Sequence, residues 1–186
     1  MPFSFIKTEI EGLTLIEPKV FCDGRGYFFE NFKKSDFIKN SIEADFVQEN
    51  CSKSTKGVLR GLHFQKNPYA QGKIISCTKG EILDCAVDLR LNSKTFKKYL
   101  LFNLNEDNKH SLYIPKGFAH GFLTLSDEAC ISYKITGGEY NKESECGIIY
   151  NDETLNIDWG IDFEPVLSDK DKVLRKLSDL KREELF

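Results

Sequence analysis

The chain has 186 residues, a formal net charge of −3 and no Gly/Ser-rich or Pro-rich tract. That length encloses a full core in one domain, and the near-balanced charge speaks against a polyanionic partner such as nucleic acid. No apolar run approaches a membrane span and the first residues lack the apolar region of a signal peptide, so the expectation is a cytoplasmic protein with no membrane partner.

Residues 5–21 alternate loosely, with Leu13, Leu15 and Pro18 marking a strand and its end. Asp23-Gly24-Arg25-Gly26 is a turn, and Tyr27 to Phe32 reads as an aromatic strand. Ser35 gives an N-cap signal for two turns of helix through Asn40. Phe46 to Ser52 is a strand with its polar residues on one side. Lys56-Gly57 then turns the chain into Val58-Leu59-Arg60-Gly61-Leu62-His63-Phe64-Gln65. Lys73 to Thr78 and Ile82 to Leu89 flank a Lys79-Gly80 hairpin turn. In the second of these, Leu83, Cys85, Val87 and Leu89 face one way and Asp84 and Asp88 the other. Strands at Tyr99–Leu104, His110–Ile114, Phe118–Leu125, Ile131–Ile135 and Ile148–Tyr150 follow. Beyond Ser168 the apolar spacing through Leu180 becomes helical. Many short strands separated by turn signals predict an all-β sandwich or barrel, and a double-stranded jelly roll suits the strand count, with short helices and a C-terminal helical tail from residue 168, as a single domain over 1–186.

Cys22, Cys51, Cys77, Cys85, Cys130 and Cys146 include no C-x-x-C pair, and none stands at zinc-ligand spacing from a histidine. They read as free thiols in a reducing compartment, a disulfide framework being the alternative.

The densest chemistry lies around His63. Ideal alternation puts Arg60 and Leu62 on one strand face and Leu59, Gly61 and His63 on the other, so His63 is expected to point away from Arg60. An imidazole can take and return protons near neutral pH, and Lys73 can offer positive charge to a developing oxyanion. A lone strand histidine is more often a hydrogen-bonded structural residue than a catalyst. Tyr133 shares a face with Ile131 and Ile135, and is either a core residue with its hydroxyl at the rim or a proton donor. In Ser168-x-x-Asp171 the carboxylate has capping-box spacing, and sequence distance does not place it near His63. Arg25 and Arg60 suit either phosphate contacts or surface ion pairs. Gln65 stands where a metal-binding jelly roll commonly has the second of two histidines, and His120 is isolated, a poor set for a metal. Phosphate-loop, dinucleotide and serine-elbow motifs are absent, so no cofactor is expected.

Taken together and in order, Arg60-Gly61-Leu62-His63-Phe64-Gln65, Ala70-Gln71-Gly72-Lys73, Val87-Asp88-Leu89-Arg90, Ile114-Pro115-x-Gly117-Phe118-Ala119-His120-Gly121-Phe122, Tyr133-Lys134, Asp158-Trp159 and Leu167-Ser168-x-Lys170-Asp171 closely resemble the dTDP-4-dehydrorhamnose 3,5-epimerase family, metal-free enzymes of the cupin jelly-roll class. The resemblance runs from Leu13 to Asp171. It implies inversion of C3 and C5 of dTDP-4-keto-6-deoxyglucose on the way to dTDP-L-rhamnose, and hence to cell-surface polysaccharide. It further implies His63 as base, Asp171 as its orienting partner, Tyr133 as acid and Lys73 beside the C4 oxygen. Arg25, Glu30, Gln48, Asn50, Arg60, His120, Glu145 and Lys170 match substrate-binding positions. Tyr140 matches the aromatic that stacks on thymine, next to a one-residue insertion within Gly137-Gly138-Glu139. A homodimer is implied, with Arg25 and Glu30 serving the neighbour's site. An epimerase for one carbon or for another 4-keto nucleotide sugar, a metal-dependent cupin oxygenase and a non-catalytic sugar-binding cupin are the other readings.

Overall fold

Strands with one apolar and one polar side bury themselves by stacking sheet on sheet, and strands apolar on both sides take the middle layers. The computed structural model, which describes residues 2–186, follows this rule. Its elements begin with β1 (Phe3–Lys7), β2 (Thr14–Pro18), β3 (Phe21–Asp23), β4 (Gly26–Phe28), the helix α1 (Lys34–Lys39) and β5 (Phe46–Thr55). They continue with β6 (Leu59–Gln65), β7 (Gln71–Lys79), β8 (Glu81–Asp88) and β9 (Tyr99–Asn105). The last strands are β10 (Ser111–Ile114), β11 (Phe118–Thr124), β12 (Glu128–Gly137) and β13 (Glu145–Gly147).

One sheet has the order β1-β2-β10-β7-β12-β5, a second β13-β6-β11-β8-β9, and β3-β4 is a separate hairpin. The pairings are antiparallel and mostly between strands distant in sequence, the jelly-roll arrangement expected. Between the sheets lie Ile75, Ile82, Ala86, Leu112, Phe118, Phe122 and Ile131. The outer face of the five-stranded sheet carries Leu59, Leu62, Phe64, Cys85, Val87 and Leu89, covered by Leu155, Ile157, Trp159 and Leu177 from the C-terminal segment. The outer face of the six-stranded sheet carries Phe3, Ile16, Ile74 and Tyr113, covered by Phe37 and Ile42. Ile82, Asp84 and Ala86 therefore face the interior, and an aspartate on that side is buried rather than solvated.

Several local expectations change. The aromatic segment from Tyr27 yields only the short hairpin strand β4, whose Tyr27 and Phe28 are exposed. The helix is capped at Lys33 rather than Ser35, with no side-chain cap bond. The last strand is Glu145–Gly147, and Ile148 makes only an isolated bridge to Arg175. The tail is not one helix but three 3-10 turns, Asp171–Val173, Leu177–Asp179 and Arg182–Glu184. Its backbone groups are taken by the sheet region instead of by an i→i+4 ladder. Ile149 N donates to Arg175 O, Leu177 N to the Asp152 carboxylate and Leu91 N to Phe186 O.

The expected opposition of Arg60 and His63 is also overturned. Phe122 stands opposite Arg60, while His120 stands opposite His63. Two steps on β11 thus match three on β6, a bulge that shifts the side-chain alternation by one residue. Leu59 and Leu62 consequently pack into the same outer layer, and Arg60 and His63 both line the interior. Gly61 sits at the bulge with φ +122°, where a Cβ would lie 2.6 Å from Gly121 Cα. Two glycines permit this close crossing of backbones.

Candidate active site

A cavity of about 650 Å³ opens between the sheets, a volume suited to a small-molecule ligand. The five-stranded sheet contributes Arg60, His63 and Gln65 from β6 and His120 and Phe122 from β11. The six-stranded sheet contributes Asn50 and Ser52 from β5, Lys73 from β7 and Tyr133 from β12. Tyr140, Glu145, Lys170 and Asp171 complete the lining from the loops and β13. His63 and Tyr133 therefore enter one space from opposed sheets.

Asp171 does more than cap. Its backbone N–H donates to Ser168 Oγ at 3.1 Å, so the capping serine is real. Its carboxylate, however, lies 2.6 Å from His63 Nε2. With Nε2–H donating to Asp171, the ring's lone pair is on Nδ1, and a protonated ring would be held by the carboxylate. Burial pushes the Asp171 carboxyl up, but hydrogen bonding and charge from His63 outweigh it and leave the group below the usual carboxylate range.

A second imidazole–carboxylate couple lies deeper. His120 Nε2 stands 2.8 Å from Asp84 Oδ2, both side chains being buried. Burial drives the His120 ring below its ordinary pKa despite Asp84, so the ring is neutral near neutral pH. Burial also pushes Lys73 down to about 8, against the pull of Asp84 and Glu145. Burial raises the Tyr133 phenol to about 12, moderated by a 2.8 Å hydrogen bond with Ser52 Oγ. The Arg60 guanidinium is held by Ser54 Oγ at 3.0 Å and the Lys53 carbonyl at 3.2 Å, which keeps it at the cavity wall.

At the mouth, Tyr140 is exposed and fixed from three directions. Its N–H donates to Gln48 Oε1 at 3.0 Å, its hydroxyl to Glu145 Oε2 at 2.9 Å, and the next residue's N–H to Gln65 Oε1 at 3.0 Å. Burial raises the Glu145 carboxyl, but the ion pair with Lys170 and the Tyr140 hydroxyl bring it below its ordinary value. Gln48 also donates to Asn50 Oδ1, so it acts on the cavity through its neighbours without lining it.

The fold brings together His63, Lys73, Asn50, Arg60, His120, Tyr133, Tyr140, Glu145, Lys170 and Asp171. It does not bring Arg25 or Glu30 there. Arg25 sits on the β3–β4 turn, its side chain 91% exposed and clasped by Asp23. Sequence reasoning missed Asp84 and Ser52. A lone carboxylate between Ile82 and Ala86 on an interior-facing strand is a signal that could have found Asp84. A strand serine gives no comparable signal.

A half-buried, oriented imidazole and a phenol on opposed walls, with an ammonium between strands, suit proton removal from one face of a carbon and return at the other. The fold and this cavity define a jelly-roll isomerase of the carbon-epimerising kind. The family model described as dTDP-4-dehydrorhamnose 3,5-epimerase matches residues 7–179. A protein of that name from Escherichia coli (strain K12) is 50% identical over 182 residues, covering 97% of this chain and 98% of its own. The crystal structure of dTDP-6-deoxy-D-glucose-3,5-epimerase from Legionella pneumophila Philadelphia 1, in complex with dTDP-4-keto-L-rhamnose, superposes with a TM-score of 0.94 at 43% identity, covering 98% of this chain and 97% of that one. That of a 3'-monoepimerase from Streptomyces bikiniensis, in complex with dTDP-quinovose, gives a TM-score of 0.86 at 31% identity, covering 93% and 87%. The chain belongs to the dTDP-4-dehydrorhamnose 3,5-epimerase family.

Proposed function

We propose that this protein inverts C3 and C5 of dTDP-4-keto-6-deoxyglucose in dTDP-L-rhamnose biosynthesis, using His63 as base and Tyr133 as acid. The observation that carries the assignment is the His63–Asp171 couple at 2.6 Å sharing a cavity with Tyr133 on the facing sheet. The proton on a carbon beside the C4 ketone becomes removable when the enolate oxygen is stabilised, and Lys73 supplies the positive charge for it. Asp171 holds the Nε2–H and stabilises the imidazolium. Tyr133 then delivers a proton from the opposite face, which inverts the centre. Arg60, Asn50, His120, Glu145 and Lys170 hold the nucleotide sugar, and the exposed ring of Tyr140 stacks on the base.

The protein acts as a homodimer in this reading. The β3–β4 hairpin carries exposed Phe21, Tyr27 and Phe28 on its strands, an apolar surface suited to a second subunit. Arg25 and Glu30 then reach the partner's cavity, which explains why neither lines their own. The free cysteines fit a reducing cytoplasm, and no helix among the described residues is long and apolar enough to cross a membrane.

Turnover in D2O followed by proton NMR tests the assignment. Deuterium is expected at both C3 and C5, and His63→Ala and Tyr133→Phe each lower kcat by roughly 10²- to 10⁴-fold. Deuterium at one carbon only would instead make the protein a monoepimerase, and full inverting turnover by His63→Ala would remove the base assignment.

A further inference from the structure

Among the described residues the Tyr133 hydroxyl has a single hydrogen-bond partner, Ser52 Oγ at 2.8 Å, and the Ser52 hydroxyl bonds to nothing else. Ser52 lies on β5, the edge strand of the six-stranded sheet, where it is half-buried and lines the cavity between exposed Cys51 and Lys53. It therefore touches both the phenol and the solvent side of the wall.

The direction of this bond matters. If the phenol donated, its proton would point at Ser52 and away from any substrate. If Ser52 donates, the phenol proton is free to turn into the cavity. The same geometry governs the state after proton transfer. Burial disfavours the phenolate, Asp84 and Cys51 oppose it further, and the Ser52 hydrogen bond and the Arg60 charge favour it. His120, whose ring packs edge-on against Tyr133 at 6.4 Å, is neutral and paired to Asp84, so it gives the phenolate no charge.

We infer that Ser52 is a positioning residue that aims the Tyr133 proton at the substrate and then relays a replacement proton to the phenolate between the two inversions. This rests on the reading of Tyr133 as the acid. In each inversion a C–H bond breaks, its proton goes to His63 and its electron pair passes to the ketone oxygen. The enolate collapses as carbon takes the Tyr133 proton, which leaves His63 protonated and Tyr133 ionised. A second inversion on the same sugar needs both groups reset. Ser52 passes its hydroxyl proton to the phenolate and takes one from water at the cavity mouth, while His63 returns its proton to water. No electron is gained or lost.

The test compares Ser52→Ala, Ser52→Thr and Tyr133→Phe in the full chain, with dTDP-4-keto-6-deoxyglucose in D2O and NMR of the early product. For Ser52→Ala, kcat is expected to fall roughly tenfold to a hundredfold with KM within about threefold, the loss of one hydrogen bond to a charged group. Sugar inverted at one carbon only accumulates in the early product, because re-arming limits the second inversion. Ser52→Thr, which keeps the hydroxyl, restores most of kcat and the product ratio. If Ser52→Ala does not fold, Ser52→Cys, with a weak donor of similar size, must show the same kcat loss and product ratio. A Ser52→Ala protein with unchanged kcat and product ratio, or a Ser52→Thr protein as impaired as Ser52→Ala, overturns the inference. Full inverting turnover by Tyr133→Phe would overturn the acid assignment itself, whereas an inactive Tyr133→Phe beside an unaffected Ser52→Ala overturns only the role of Ser52.

Discussion

Lys73 shows how burial and charge set one residue's working range. Its ammonium is pushed down to about 8 by burial, while Asp84 and Glu145 pull the other way. A cation that stabilises the enolate must be protonated, so kcat/KM is expected to fall as pH rises through about 8. Removing the Asp84 charge leaves burial less opposed. Asp84→Asn is therefore expected to move this alkaline limb to lower pH, measured as the pH profile of kcat/KM. The titratable groups that act on Lys73 or His120 include Asp84, Glu145 and His63, and the substitution leaves the latter two in place. A limb that stays put in Asp84→Asn would show that Asp84 only packs against His120. Asp84 itself was legible in the sequence as a carboxylate in an alternating strand, but which face of that strand was interior was not.

The β6–β11 pair is where one element makes the site. Regular alternation would send Arg60 and His63 to opposite faces, and the bulge at Gly61 sends both to the cavity. The bulge depends on two backbones meeting where a Cβ on Gly61 would be 2.6 Å from Gly121 Cα and one on Gly121 would be 2.7 Å from the Arg60 carbonyl oxygen. Gly61→Ala is therefore expected to cost roughly 2–4 kcal/mol in urea unfolding, through the clash and the positive φ together. Gly24→Ala, where a Cβ would meet nothing within 4 Å, serves as the control and is expected to change stability by less than about 0.5 kcal/mol. Equal effects at the two positions would remove the steric account of the bulge. The glycines were visible in the motif, but a single glycine in a strand does not say which residue the partner strand skips.

At the scale of the whole molecule, the unanswered geometry is that of Arg25, which lies on an exposed hairpin away from its own cavity. If the hairpin serves a partner, Arg25→Ala and His63→Ala homodimers are each impaired. Mixing the two proteins and allowing subunit exchange is expected to restore activity, because half of each mixed dimer then has an intact His63 and receives an intact Arg25. No gain on mixing, with exchange verified by native mass spectrometry, would place Arg25 outside the partner's site.

The sequence alone determined that the chain is built of many short strands, because alternation is a local property written into each segment's side chains, and its ordered motifs carried the resemblance to a jelly-roll family. It also carried the chemical inventory, His63, Lys73, Tyr133 and Asp171, within an ordered set of motifs. Only the tertiary structure decided which of these meet. Asp171 reaches His63 across 108 residues, Arg60 turns in beside His63 at the bulge, and Asp84 and Ser52 acquire their partners on neighbouring strands. Such meetings depend on strand order, register and the packing of the tail, and hydropathy periodicity records which face a residue takes without recording what lies opposite.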